Sequence, residues 1–230
     1  MYINKISRDL ITIAKDVEKR DIYVSEPENS PYGSWLCKGY RQICKRTGRN
    51  VSTMATPTTD EAAIKSIELI AKYLPEAVAH GEDVKIRDMM AHAEYLAGIA
   101  FNNASLGYVH SMAHQLGGFY DLPHGVCNAI LLPYVEAYNK QVVPERFADI
   151  AKAMGENIEG LSPEEAADKA IEAIKNLASK IGIPSGLREL GARKEDFKLL
   201  AENAMQDVCR LTNPRELSKE DIIEIYRRAM

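Results

Sequence analysis

Three features that identify other classes of protein are missing from this chain of 230 residues. Charged residues interrupt every long segment, so no stretch approaches the roughly 20 consecutive apolar residues that a membrane helix requires. The four cysteines form no C-x-x-C pair, and the N-terminus lacks the cationic segment followed by an apolar one that indicates an export signal. These absences predict a soluble, cytoplasmic protein with no membrane partner.

The charge gives no indication of a nucleic-acid partner either. The net charge is −4, although residues 1–50 carry ten Lys or Arg and six Asp or Glu. Five of these basic residues lie between Lys38 and Arg49, close to Cys37 and Cys44. Because no recognised ligand spacing is present, we expect a solvated segment here rather than a metal, phosphate or nucleic-acid site.

The sequence predicts an all-α helical bundle. Beyond Thr58, apolar residues recur with the helical period and nowhere with the alternation of a strand. The segment from Ala91 to Leu116 is rich in small residues, so we expect it to be buried on most of its circumference at the centre of the bundle. The predicted helices are Asn4–Lys19, Thr59–Leu74 with an end near Pro75 or Gly81, Val84–Leu116 as one helix or two, Gly125–Asn139 with a bend at Pro133, Pro144–Met154, Pro163–Ile181, Lys194–Val208 and Lys219–Ala229.

Three of the five histidines lie close together, at positions 110, 114 and 124. His110 and His114 are four residues apart, so their imidazoles project from one face of a helix. His124 follows a predicted helix end at Gly117–Gly118 and can fold back toward them. A buried helix would be more stable with Leu or Ala at these positions unless the imidazoles bind something. The spacing therefore favours a metal or proton-transfer site.

The alternative is that these histidines are hydrogen-bonded residues of the core. Two imidazoles also make an incomplete metal site, because catalytic Fe²⁺ or Zn²⁺ takes three or four protein ligands, often with a carboxylate among them. His80 and His92 have no partner at a useful spacing, and we expect them to be surface or hydrogen-bonded residues.

The histidine segment resembles the signature of a known family. The run from Ala97 to Gly107 (AGIAFNNASLG), followed by His110 to Gly125 (HSMAHQLGGFYDLPHG), is similar to the iron-containing (group III) alcohol dehydrogenases. The resemblance extends from about Val51 to the C-terminus and includes Thr56–Asp60, Asn213–Arg215 and Glu220–Ile222. It implies that residues 51–230 form the C-terminal helical domain of that family.

In that family, an N-terminal α/β domain binds NAD(P) on a glycine-rich loop, and the helical domain holds a divalent metal, usually iron. The metal polarises the alcohol oxygen so that hydride can pass to the nicotinamide. The resemblance implies that His110 and His124 ligate Fe²⁺, or alternatively Zn²⁺, and that His114 is a catalytic polar residue facing substrate or nicotinamide. It implies a small alcohol or aldehyde as substrate.

Two parts of the family pattern are missing. A second pair of ligands, an Asp and a His four residues apart, belongs just before Val51, where residues Cys37–Asn50 contain neither. No strand, glycine loop and helix occur in the order of a nucleotide-binding unit, so no cofactor-binding residue is assigned. We therefore expect weak metal binding and little or no activity from this chain alone. Thiolates of Cys37 or Cys44 as substitute ligands would favour zinc over iron.

Two functions are consistent with this sequence. The first is the metal-binding part of an NAD(P)-dependent oxidoreductase, from a truncated, split or rearranged gene, which needs an N-terminal α/β partner chain. The second is a non-catalytic helical module that retains the fold for oligomerisation or binding. In both cases residues 1–50 are an atypical N-terminal segment, and the face that covers the cofactor domain in the family would be apolar and would promote homo-oligomerisation.

Overall fold

The computed structural model describes residues 52–230, so the helix predicted at Asn4–Lys19 and the basic segment at Lys38–Arg49 lie outside the described residues. Residues 52–230 are helical and contain no β-strand, which confirms the predicted all-α fold. None of the helices in this range is long and apolar enough to cross a membrane. The α-helices are α1 (Pro57–Ala79), α2 (Val84–Ala104), α3 (Tyr108–Tyr120), α4 (His124–Asn139), α5 (Pro144–Ala153), α6 (Pro163–Lys180), α7 (Phe197–Ala204) and α8 (Lys219–Arg228).

Capping side chains determine where three of the helices begin. Thr56, Ser162 and Ser218 each accept a hydrogen bond from the backbone of the residue three positions on, whose side chain in turn accepts from the backbone of the cap. Each of these reciprocal pairs, known as a capping box, satisfies two backbone N–H groups that would otherwise lack partners in the first turn. The helix starts predicted after Ser162 and Ser218 are therefore confirmed.

The predicted segment Val84–Leu116 consists of two helices, α2 and α3. Ser105 adopts a left-handed conformation, with φ of 59°. Gly107 then allows Asn213 to approach closely, since a β-carbon at Gly107 would lie 2.8 Å from Asn213 Oδ1. The interruption between α2 and α3 therefore depends on a residue more than a hundred positions away. The periodicity of the local sequence contains no information about such a contact.

Other helix ends differ from the predicted ones. Helix α3 continues through Gly117–Gly118 and ends where Asp121 turns left-handed, with φ of 55°. Helix α1, in contrast, continues through Pro75 and ends at Ala79, so the predicted end near Gly81 is confirmed. The helix predicted at Lys194–Val208 is reduced to α7, with short 3₁₀ segments at Lys194–Asp196 and Val208–Thr212. In α3 and α1, tertiary packing overrides the weak helix propensities of glycine and proline.

The centre of the bundle is formed by α3 and α4 rather than by the small-residue segment of α2. Twelve of the sixteen residues of α4 are buried. In α2 the buried side is a stripe of four alanines, whereas Tyr95 is 58% exposed. The prediction that this segment is buried on most of its circumference is therefore wrong for α2, whose opposite face is open, and right for α3. The alanine stripe consists of Ala93, Ala97, Ala100 and Ala104.

Two contacts attach the C-terminal part of the chain to α3. The ring of Tyr226 in α8 stacks on Phe197 in α7, with centroids 5.2 Å apart, and its hydroxyl donates a hydrogen bond to Met112 O at 2.9 Å. At the start of α3, Asn213 Oδ1 accepts from Tyr108 N at 3.3 Å. The segment that contains Asp207 and Cys209 is thus held against α3.

A carboxyl group is completely buried near the end of α4. Glu136 has no exposed surface, and its Oε2 accepts from Asn139 Nδ2 at 2.9 Å. Its Oε1 makes no hydrogen bond with any residue in the described range. Burial raises the pKa of Glu136 to about 7, although the hydrogen bond from Asn139 opposes the shift. A buried carboxyl prefers its neutral form because ionisation in a medium of low polarity is costly.

Glu136→Gln is expected to change how stability depends on pH. In the unfolded chain the carboxyl titrates near its ordinary pKa of 4.5, so between that pH and about 7 the folded state binds more protons than the unfolded state. The free energy of unfolding of the native chain therefore falls as pH rises through this window, by about 3 kcal/mol at most. Glutamine removes that loss, so the variant should gain stability relative to the native chain on going from about pH 5 to about pH 8.

Urea unfolding of the two proteins at both pH values measures this difference. Glu172→Gln is the matched control, because that side chain is 64% exposed and should leave the pH dependence unchanged. Equal pH dependence in the native chain and Glu136→Gln would contradict the prediction.

Candidate metal centre

The three clustered histidines meet at the turn between α3 and α4. His110 is 2% exposed, whereas the side chain of His114, one helical turn later, is 40% exposed. His124 is the first residue of α4. The ring centroid of His124 lies 5.3 Å from that of His110 and 5.2 Å from that of His114. The fold therefore brings together the three imidazoles that the sequence grouped.

His114 is paired with an acidic residue from a distant segment. Its Nδ1 lies 2.7 Å from Asp207 Oδ2, on the residue that precedes the 3₁₀ segment Val208–Thr212. Burial opposes the ionisation of Asp207, but hydrogen bonds from His114 and Cys209 outweigh it and lower the carboxyl pKa. An ionised carboxylate can only accept a hydrogen bond, so Nδ1 carries the proton, and in the neutral ring Nε2 is left as an acceptor.

Cys209 completes a polar cluster with these two residues. Its backbone N–H donates to Asp207 Oδ1 at 2.8 Å, and its thiol also donates to that carboxylate. Burial, together with the hydrogen bond to Asp207 and its negative charge, raises the pKa of the Cys209 thiol to about 12. Without a ligand the sulfur is therefore a thiol, and Asp207 is the anion of the cluster.

His124 has its own orienting partner within α4. Asn128 Nδ2 lies 2.9 Å from His124 Nε2, one helical turn away. A side-chain amide presents a donor or an acceptor after a rotation of 180°, so it can hold either tautomer of the ring. Asn128 thus sets the direction of the imidazole without deciding which nitrogen carries the proton. Such partners hold metal-binding histidines in place in many proteins.

Three residues of this site, Asp207, Cys209 and Asn128, were not predicted from the sequence. Asn128 lies one turn beyond His124, which is a detectable helical spacing. Asp207 and Cys209 are more than eighty residues from the histidines, so no local pattern connects them. His80 and His92 lie on exposed surfaces, 4.0 Å from Glu76 and 3.6 Å from Asp88 of their own helices, as the sequence predicted. Cys37 and Cys44 lie outside the described residues.

Comparison with known families identifies the domain. A model described as "Fe-containing alcohol dehydrogenase family, C-terminal" matches residues 47–230. The chain belongs to this family. The resemblance seen in the sequence is confirmed, and the all-α fold is that of the family's C-terminal helical domain.

Its relatives include dehydrogenases of bacteria and yeasts. The chain is 55% identical to the 1,3-propanediol dehydrogenase of Citrobacter freundii over 179 residues, which is 78% of this chain and 46% of the relative. It is 45% identical to the NAD-dependent methanol dehydrogenase of Bacillus methanolicus, over 91% of this chain and 56% of the relative.

A solved structure of 1,3-propanediol oxidoreductase superposes with a TM-score of 0.85 at 50% identity, covering 88% of this chain and 53% of that one. The chain thus spans about half the length of the relatives that it matches.

The pairing of His114 with Asp207 predicts an unusual tautomer. In the native chain at about pH 9, where an ordinary imidazole is neutral, nitrogen NMR should show Nδ1 of His114 as the protonated nitrogen. In Asp207→Ala the carboxylate is removed, and the proton should move mainly to Nε2, as in free imidazole.

Asp196→Ala is the control for this measurement, because it removes a carboxylate that accepts from Tyr120 rather than from His114. An unchanged His114 spectrum in Asp207→Ala would show that the carboxylate does not set the tautomer.

Proposed function

We propose that this chain is the metal-carrying half of an NAD(P)-dependent alcohol or aldehyde oxidoreductase. The observation that carries the proposal is the convergence of His110 and His124, 5.3 Å apart by ring centroid, in a chain that belongs to the iron-containing alcohol dehydrogenase family. The nicotinamide cofactor and the rest of the metal ligands would come from an α/β domain that these 230 residues do not contain by sequence.

The residues present fit one half of a metal site. His110 is buried in α3, and His124 is held by Asn128 in α4, so both imidazoles belong to rigid helices rather than to loops. Neutral imidazoles suit Fe²⁺ and Zn²⁺ alike. They supply no negative charge, and the Asp and His that the family places before Val51 are absent from Cys37–Asn50. Because two ligands of four are missing, metal binding by this chain should be weak.

His110 and His124 would hold the metal, which, when bound, acts as a Lewis acid and lowers the pKa of an alcohol hydroxyl. His114 would act beside it. Its ring is 40% exposed, and with Nδ1 donating to Asp207 its Nε2 is available to accept a hydrogen bond from a hydroxyl group. Asp207 positions this ring, and the stacking of His114 on His124, at 5.2 Å and 19° between planes, keeps it next to the pair.

The relatives are named for small substrates, among them 1,3-propanediol, methanol and lactaldehyde. We expect the same class, a small alcohol or aldehyde, here. Hydride transfer needs a nicotinamide, and binding NAD(P) in this way normally needs a glycine-rich loop at the start of a helix. The chain alone should therefore show little or no turnover, and activity should depend on a separately supplied nucleotide-binding domain.

Metal content and alcohol-dependent NAD⁺ reduction test this function directly. The chain should be measured alone and after mixing with the N-terminal α/β part of the Citrobacter 1,3-propanediol dehydrogenase, expressed separately. We expect weak iron binding by the chain, which His110→Ala or His124→Ala should reduce by more than about 100-fold, since loss of a ligand costs more than loss of its supporting partner. Turnover should require the mixture.

His80→Ala and His92→Ala are matched controls, because both side chains are exposed and should leave iron binding unchanged. If His110→Ala and His124→Ala also leave it unchanged, the assignment of the ligands is wrong. If added metal leaves the melting temperature of the chain unchanged and no mixture oxidises any alcohol, the chain is instead a non-catalytic helical module.

A further inference from the structure

A second group of metal-binding atoms lies next to the histidine pair. One ring nitrogen of His114, a carboxylate oxygen of Asp207 and the sulfur of Cys209 are all within 4.8 Å of one another. None of the three is His110 or His124, so an ion held here would be a second one, although His114 also takes part in the function proposed above. The three donors come from α3 and from the segment at the start of Val208–Thr212, which the sequence separates by more than ninety positions.

We propose that His114, Asp207 and Cys209 form a second metal site, which binds Zn²⁺. The donor set is one nitrogen, one oxygen and one sulfur. Zn²⁺ accepts this mixture in a four-coordinate arrangement whose remaining position is filled by water. A thiolate selects Zn²⁺ over Mg²⁺, Ca²⁺ and Fe²⁺, which prefer oxygen or nitrogen ligands.

The cluster is held together before an ion arrives. The Asp207 carboxylate accepts from His114 Nδ1 at 2.7 Å and from the backbone N–H of Cys209 at 2.8 Å. Arg210 Nε donates to Met205 O at 2.7 Å, and Thr212 Oγ1 donates to Leu106 O, so the segment around Asp207 is fixed on both sides. An ion would replace the hydrogen bond between His114 and Asp207, and it would find the side chains already held near each other, which lowers the entropic cost of binding.

The site can be reached from solvent. The side chain of His114 is 40% exposed, and the neighbouring Val208 is 74% exposed. Asp207 is shielded, with 15% of its side chain exposed, so a bound ion would be partly screened from water. Because one edge of the cluster is open to solvent, a bound ion should be able to enter and leave, unlike an ion in a closed structural site.

Binding of Zn²⁺ changes where protons are held on Cys209 and His114. On binding, the Cys209 thiol releases its proton to solvent and becomes a thiolate, because a coordinating thiol is deprotonated by the metal. For Nδ1 of His114 to take the ion, its proton must move to Nε2 through solvent, and the hydrogen bond to Asp207 is replaced by the two bonds to the metal. The charge of Zn²⁺ is then cancelled by one carboxylate and one thiolate. Because Nε2 is no longer an acceptor, zinc should inhibit any reaction that uses His114.

Titration of the full chain with Co²⁺, a spectroscopic substitute for Zn²⁺, tests the proposal without any enzymatic activity. The metal-free, reduced native chain should develop a near-ultraviolet band from charge transfer between thiolate and Co²⁺, and added Zn²⁺ should abolish it. Cys209→Ser should lose the band while keeping its helical circular dichroism. Cys37→Ser with Cys44→Ser should keep the band, as should His110→Ala with His124→Ala.

A native chain without the band, or a Cys209→Ser protein that retains it, would overturn the proposal. If Cys209→Ser does not fold, His114→Gln serves instead, since that side chain is partly exposed. The variant should weaken Co²⁺ binding by at least about tenfold, and unchanged affinity would also overturn the proposal. The two sites are tested separately, because iron binding in His110→Ala reports on the proposed function and the cobalt band reports on the second site. Loss of iron binding in His110→Ala with an intact cobalt band would support both assignments.

Discussion

The candidate site depends on one short connection, the turn between α3 and α4. Asp121 takes a left-handed conformation, with φ of 55°, and Pro123 follows two residues later, so the chain reverses within three residues. His124 then begins α4 beside the helix that carries His110 and His114. Asp is one of the few residues other than glycine that adopt this conformation at modest cost. Without that reversal, the imidazoles would be separated along the chain and could not converge.

A second constraint brings the acidic and sulfur groups to the same place. Asn213 accepts from Tyr108 N and donates to Asn139 Oδ1 at 2.7 Å, which links the start of α3 to the end of α4. The same segment carries Asp207 and Cys209. Buried amides of this kind must satisfy all their hydrogen bonds, so the arrangement tolerates few alternatives. The close approach of Asn213 also explains why position 107 is glycine.

Membership in the family establishes the fold, whereas the chemistry of the individual residues decides which metals and reactions are possible. The match over residues 47–230 establishes the fold and the family, but the chain spans only about half the length of its relatives. What this chain contributes is an ordered group of imidazoles with a carboxylate and a thiol beside it. Fold alone does not fix function, and the donors present decide which metals and reactions are possible.

The sequence by itself determined the all-α class, most of the helices, the family and the grouping of the three histidines. These depend on local periodicity, capping residues and a contiguous signature, all of which can be read within about twenty residues. It did not determine the break at Ser105–Gly107, the continuation of α3 through Gly117–Gly118, or the exposed face of α2. The tertiary structure decided these, and it alone placed Asp207 and Cys209 next to His114. The reason is physical: such contacts arise from long-range packing and hydrogen bonding between segments, which leave no periodic trace in either segment taken separately.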